Sequence, residues 1–153
     1  MQNMQNKIIA IILVSILFIF FFYTPQHINV WNATFLHLNF FHLALNSVTL
    51  YSLYTSQLNR FKPYIIIPAS YFIAVIAFYV SNNTSIGASA AILALFGFML
   101  AKHINKHNSI LTILIIVLSF LPGIDTTAHI MAIFLSFFIG CFFNLINFIL
   151  RNV

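Results

Sequence analysis

Apolar residues fill this chain in six long blocks, at residues 8–23, 40–56, 64–80, 85–101, 109–121 and 128–150, with the polar residues gathered between them. Blocks of this length, without strict alternation, predict helices that are buried or cross a membrane. A bilayer core of roughly 30 Å takes about 20 helical residues per crossing. The shorter blocks fit through local thinning of the bilayer and contact with protein neighbours. Turn residues separate the blocks, Ser81-Asn82-Asn83-Thr84 before the fourth and Pro122-Gly123 before the sixth. Pro63 suits the first turn of the third helix, and Pro68 predicts a bend within it. The first block follows Lys7, as in a signal peptide, but no small-x-small cleavage site follows Phe22 and Tyr23, so it reads as a retained span.

Composition turns buried helices into membrane helices. Of 153 residues, 62% are hydrophobic and only 5% charged, whereas soluble domains are about one quarter charged. The expectation is an all-α membrane protein, a single polytopic domain over residues 1–153 with no room for a separate soluble domain. The charges then set its orientation. With six spans, Lys7, Arg60, Lys62, Lys102, Lys106 and Arg151 all fall on one side. Chance would do this with odds of roughly one in thirty, and the positive-inside rule makes that side, with both termini, cytoplasmic. The net charge of +5 forms no patch, which argues against a nucleic-acid partner. Asp125, the one acidic residue, falls in the outer loop between spans five and six, where it is neutral for topology. Cys141 has no partner cysteine, so neither a disulfide nor a cysteine-rich metal framework can form. His27, His103 and His107 read as solvated loop residues. Phe18, Phe20, Phe21 and Phe22 read as lipid-facing, and Tyr23 and Trp31 as an outer aromatic belt.

Orientation gives the embedded polar residues a depth, because spans two, four and six start at the outer face and run inward. His42 and Asn46 lie near the start of span two, Ser89 near the start of span four and His129 near the start of span six. All four fall within roughly two helical turns of the outer boundary. Polar groups at membrane depth face the protein interior or a water-filled cavity by default. His42 and Asn46, four apart, share a helix face. Small residues form stripes on two spans: Ala90, Ala94, Gly97 and Ala101 on the fourth, and Ala132, Ser136 and Gly140 below His129 on the sixth. Such stripes let helices approach closely, as a hydrogen bond of about 3 Å between Ser89 and His129 would require. A serine hydroxyl becomes a useful nucleophile when a neighbouring base takes its proton, and histidine is the usual base. A Ser89–His129 dyad results, with no acid in the spans to extend it to a triad. The Ser89 amide at a helix N-terminus and the His42 and Asn46 side chains can donate to an oxyanion.

Phe35-Leu36-His37-Leu38-Asn39-Phe40-Phe41-His42 followed by Asn46 resembles the H-x4-H-x3-N signature of the rhomboid family. Gly87-Ala88-Ser89-Ala90 resembles that family's G-x-S-G nucleophile motif, and Ala128-His129 its A-H motif opening the last span. The resemblance covers nearly the whole chain, and the order and spacing agree with a six-transmembrane-helix rhomboid-like bundle. It implies Ser89 as nucleophile, His129 as general base, and His42, Asn46 and the Ser89 amide as the oxyanion hole. Gly87 would allow the tight turn into span four, and His37 would organise the outer end of span two. The implied activity is serine endopeptidase cleavage in or near a transmembrane segment of another protein, with no cofactor. The chain departs from the family pattern at Ala90, where glycine is usual, at Leu93, where tyrosine is frequent, and at Ala132 and Ser136, where glycines are common. The loop over residues 24–34 carries Trp31-Asn32 in place of Trp-Arg.

Two other readings stay open at this stage. A catalytically silent rhomboid-like protein would bind transmembrane helices without cutting them, and retention of Ser89 and His129 speaks against it. A metal-dependent membrane protein could be built on His37, His42 and His129. The spans carry no carboxylate and nothing resembles H-E-x-x-H, so no metal site is expected. The small chain with no organellar transit sequence points to a prokaryotic plasma membrane, with the site near the extracytoplasmic side.

Overall fold

The computed structural model of the protein describes residues 2–22, 27–56, 62–81, 87–102, 110, 112–113, 116–117, 120 and 124–151. Among the described residues the helices with continuous ranges are α1 (Gln2–Phe21), α2 (Val30–Ala33), α3 (Phe40–Ser56), α4 (Pro63–Ser81), α5 (Ser89–Lys102) and α6 (Thr126–Arg151). Among the described residues there is no strand. Ile110, Thr112, Ile113, Ile116 and Val117, in the fifth apolar block, are helical as well. Phe120 closes a turn onto Val117, and the rest of that block lies outside the described residues, as do Tyr23, Arg60, His103, Lys106, His107 and both central turns, residues 82–84 and 122–123.

Local chemistry sets the helix boundaries. Asn39 caps α3 with its side-chain oxygen accepting from the His42 amide at 2.8 Å. Pro63 opens α4, where its missing amide proton is no loss. The same helix runs on through Pro68. Asp125 starts α6 two residues ahead of the apolar block, because its carboxylate accepts the Ala128 amide at 3.0 Å and its backbone carbonyl accepts the His129 amide at 3.0 Å. Residues 24–34, read from the sequence as a plain loop, contain α2. There Asn29 and Asn32 close a reciprocal capping box, and Asn32 also donates to the His27 carbonyl at 2.9 Å. Asn32 thus spends its side chain on this local turn.

α5 is the hub. Ala90 and every residue from Ile92 to Leu100 are buried, as expected of a helix that is apolar all round. It packs most extensively on α6 and also on α4 and α3, while α1 packs on α3, α4 on α6 and α2 on α4. In hydrocarbon no hydrophobic force holds helices together, so van der Waals fit and interhelical hydrogen bonds decide stability. The two small-residue stripes supply that fit. A Cβ placed on Gly97 would collide with Ser136 Oγ and come within 2.5 Å of the Ile133 carbonyl oxygen. One placed on Gly140 would come within 2.6 Å of Ala101 Cβ. Ser136, fully buried, satisfies its hydroxyl by donating within α6 to the carbonyls of Ala132 and Ile133, at 2.6 and 3.0 Å.

The outward faces are apolar. Ile8, Ile11, Ile12 and Ile19 on α1, Phe72 and Ile76 on α4, and Phe134, Phe138 and Phe142 on α6 are all exposed. Apolar surface this extensive would mark a soluble protein for aggregation and suits a lipid solvent. Met4–Phe21, Tyr64–Ser81 and Thr126–Leu150 are each long and apolar enough to cross a membrane. One expectation needs correction. Of the four phenylalanines read as lipid-facing, only Phe22 is exposed, whereas Phe18, Phe20 and Phe21 are half-buried. Phe20 stacks on Phe35 at 5.0 Å, and Phe18 and Phe21 meet Phe40 edge-on at 6.4 Å. Aromatic pairing between α1 and the start of α3 gains more than exposure to acyl chains would.

Candidate functional site

Ser89 is the first residue of α5 and His129 lies in the first turn of α6, so the tight α5–α6 contact brings them together across 40 residues of chain. His129 Nε2 and Ser89 Oγ are 2.8 Å apart, within hydrogen-bond reach. Both residues are half-buried, shielded by protein while still open to a substrate. With the proton on Nδ1, Nε2 accepts from the serine hydroxyl, the arrangement a general base needs.

The turn into α5 is held from two sides. The Gly87 amide donates to the Ala33 carbonyl at the end of α2, at 2.9 Å. Gly87 itself has φ of +135°, a region that side-chain-bearing residues avoid. A Cβ there would come within 2.5 Å of His42 Cε1 and 3.6 Å of Asn46 Nδ2. His42 and Asn46, one turn apart on α3, therefore press against the backbone two residues before Ser89. Asn46 Nδ2 is buried and meets no acceptor among the described residues, so an unpaired amide donor is held next to Gly87, two residues before the serine. α2 is itself tied to α4 by the Tyr71 hydroxyl, which donates to the Trp31 carbonyl at 2.7 Å.

His37 lies ahead of α3, in the corner that joins it to α2. Its Nδ1 sits 3.2 Å from the Phe35 carbonyl oxygen, and its ring meets that of His42 at 5.2 Å and 64°. Burial, and after it the neighbouring His42, lower its pKa from the usual 6.5 to about 4, the Phe35 carbonyl opposing in part. His37 is therefore neutral when folded, while the unfolded chain binds a proton below about pH 6.5. Its contribution to stability is complete above that pH and declines as pH falls towards 4. Thermal midpoints between pH 7 and 4 should fall further for the wild type than for His37→Gln; parallel profiles would contradict this.

Asp125 is the residue that sequence reasoning passed over. Instead of lying idle in a loop it is buried, and it fixes the first turn of α6 through both its carboxylate and its carbonyl. The carbonyl bond ends on the backbone of His129 itself. An Asp directly before Thr126-Thr127-Ala128 and an apolar run is a helix-start signature that could have revealed it. Asp125→Ala should cost about 1 kcal/mol of stability and slow any reaction that uses His129, whereas Asp125→Asn should keep the cap and the wild-type melting temperature. Equal melting of all three would show that the cap carries no weight. Among the described residues no three His, Cys, Asp or Glu side chains converge as metal ligands would.

Comparison with known proteins adds one finding. The family model described as Rhomboid domain matches residues 24–146, from ahead of α2 to deep within α6. No curated protein and no solved structure matches the chain. The matched stretch spans α2 to α5 and most of α6, and its outward faces are those of a multi-pass membrane protein. On that match, which takes in well over half of the sequence, the chain belongs to the rhomboid family.

Proposed function

We propose that the protein is an intramembrane serine endopeptidase that cleaves transmembrane or juxtamembrane segments of other membrane proteins. The observation that carries this reading is the 2.8 Å approach of His129 Nε2 to Ser89 Oγ, at the outer ends of two helices that small residues hold together. His129 takes the Ser89 proton as Oγ attacks the scissile carbonyl carbon. The carbonyl oxygen becomes an oxyanion, which the Ser89 amide and the His42 and Asn46 side chains receive. His129 then returns the proton to the departing amine, leaving an acyl-enzyme on Ser89. Water, deprotonated by His129, releases the new carboxyl end and restores the serine. Gly87 supports this by leaving room for His42 and Asn46 beside the nucleophile, and His37 by packing against His42.

In this reading the chain forms one membrane domain of six spans in a prokaryotic plasma membrane. Both termini are cytoplasmic, following the lysines and arginines, and the site opens near the extracytoplasmic side. The family as a whole favours proteolysis over silent helix binding, and the dyad supports it in this chain. The test is reconstitution in liposomes with a transmembrane reporter, together with a fluorophosphonate that forms a covalent bond with activated serines. Cleavage and labelling confined to Ser89 are expected. A folded wild-type protein that neither cuts several reporters nor takes the label would favour the silent, helix-binding alternative.

A further inference from the structure

Tyr71 stands at the middle of α4 (Pro63–Ser81), a helix long and apolar enough to cross a membrane from Tyr64 to Ser81. Its hydroxyl donates to the Trp31 carbonyl at 2.7 Å, across 40 residues of chain, so Trp31 and with it α2 lie at bilayer depth. Irregular backbone at that depth persists only where protein or a water-filled cavity satisfies its polar groups. A helix of four residues has no internal partners for its last carbonyls, and those of α2 are taken up one by one. Trp31 accepts from Tyr71, and Asn32 accepts the Phe35 amide at 3.0 Å. Ala33 accepts the Leu36 amide at 3.3 Å and the Gly87 amide at 2.9 Å.

The Trp31 and Ala33 carbonyls therefore join two distant elements, α4 on one side and the turn that delivers Ser89 on the other. The piece between them is stiff, because Asn29 and Asn32 close its capping box and Ala33 is buried. Gly87, at φ of +135°, has no side chain of its own to hold that conformation. The Ala33 carbonyl holds it from one side, and His42 and Asn46 crowd its Cα from the other. Two residues on, the Ser89 amide and hydroxyl take their direction from this turn. The Tyr71 ring is fixed independently of its hydroxyl: it packs on Phe35 at 5.5 Å and meets Phe72 at 5.8 Å. Removing the oxygen alone leaves that packing and takes away the tie to α2.

We propose that Tyr71 is a positioning residue for the peptidase site, its hydroxyl acting through α2 and the Ala33 carbonyl to hold the Gly87 turn, and with it the Ser89 hydroxyl and amide, in register. The effect on rate rests on the peptidase reading, whereas the tie itself is tested without activity. Glycine occurs only four times, so enriching glycine with heavy nitrogen lets hydrogen exchange at the Gly87 amide be followed by NMR in the full chain. In Tyr71→Phe that amide should exchange about tenfold faster, roughly what one net hydrogen bond contributes. Gly97 and Gly140, inside α5 and α6, should keep their wild-type rates. Faster exchange at all three would mean general loosening and overturn the proposal, as would an unchanged Gly87. In liposomes Tyr71→Phe should take the fluorophosphonate label about tenfold more slowly, with the pH profile of labelling unmoved because His129 stays in place. Asn29→Ala, which opens the capping box of α2, should slow labelling to a similar extent, and adding Tyr71→Phe should slow it little further. Labelling of Tyr71→Phe at the wild-type rate would overturn the proposal, and so would losses that multiply in the double variant, since the hydroxyl would then act by a route other than α2. A wild type that takes no label would count against the peptidase reading alone, because Gly87 exchange still decides the tie.

Discussion

Ser89→Ala should lower cleavage of a transmembrane reporter by at least about 10,000-fold, and adding His129→Ala to it should remove almost nothing more. The two side chains act as one unit, because the base has no task without the hydroxyl it deprotonates and the hydroxyl is a poor nucleophile without the base. The 2.8 Å approach of Nε2 to Oγ is the structural ground for this non-additivity. His129→Ala alone should cost about 100- to 10,000-fold, the usual contribution of a positioned general base. Both substitutions are truncations at half-buried positions, so the melting temperature should move little and the loss can be assigned to chemistry. Independent, multiplying losses for the two variants would separate the residues functionally and remove the dyad.

Gly97→Ala is the second large effect expected, and its sign is diagnostic. By helix propensity alone, alanine in place of glycine within a helix stabilises by up to about 1 kcal/mol. In this protein the added methyl would meet Ser136 Oγ and lie 2.5 Å from the Ile133 carbonyl oxygen. Ser136 could be trimmed away, but the carbonyl belongs to the α6 backbone and can retreat only if the helices part. Overpacking of this kind costs about 1–3 kcal/mol, so steric conflict outweighs propensity. Parting α5 from α6 also draws Ser89 away from His129, and a misplacement near 1 Å can cost about 100-fold in rate. Gly97→Ala should therefore melt lower and cut more slowly, and Ser136→Gly added to it should restore only part of either. A variant that melts above the wild type would show that the contact is looser than the structure has it.

Much of this was readable along the chain. Continuous apolar blocks identified helices, since nothing but a helix satisfies its own backbone in lipid. The start of α3 coincides with that of its block because Asn39 caps it. Ser89, His129, His42 and Asn46 stood out because polar groups are costly in hydrocarbon and so are rarely incidental. The small-residue stripes announced close helix contact, since a missing side chain leaves a gap that only another helix fills well.

Other features have no signature in one dimension. Whether Ser89 and His129 meet at 2.8 Å depends on how far α5 and α6 interpenetrate, and the Gly97–Ser136 and Gly140–Ala101 contacts fix that jointly. The pairing of Phe18, Phe20 and Phe21 with Phe35 and Phe40 escaped a reading that took these rings as lipid-facing, because apolarity does not distinguish lipid from a neighbouring ring. Asp125 was read as a topology-neutral loop residue because its charge was considered and its capping geometry was not. The sequence by itself determined the helices and the chemical groups they carry, because local solvation and backbone hydrogen bonding act residue by residue. Tertiary structure alone decided which groups touch, because close approach depends on the shapes of two surfaces at once.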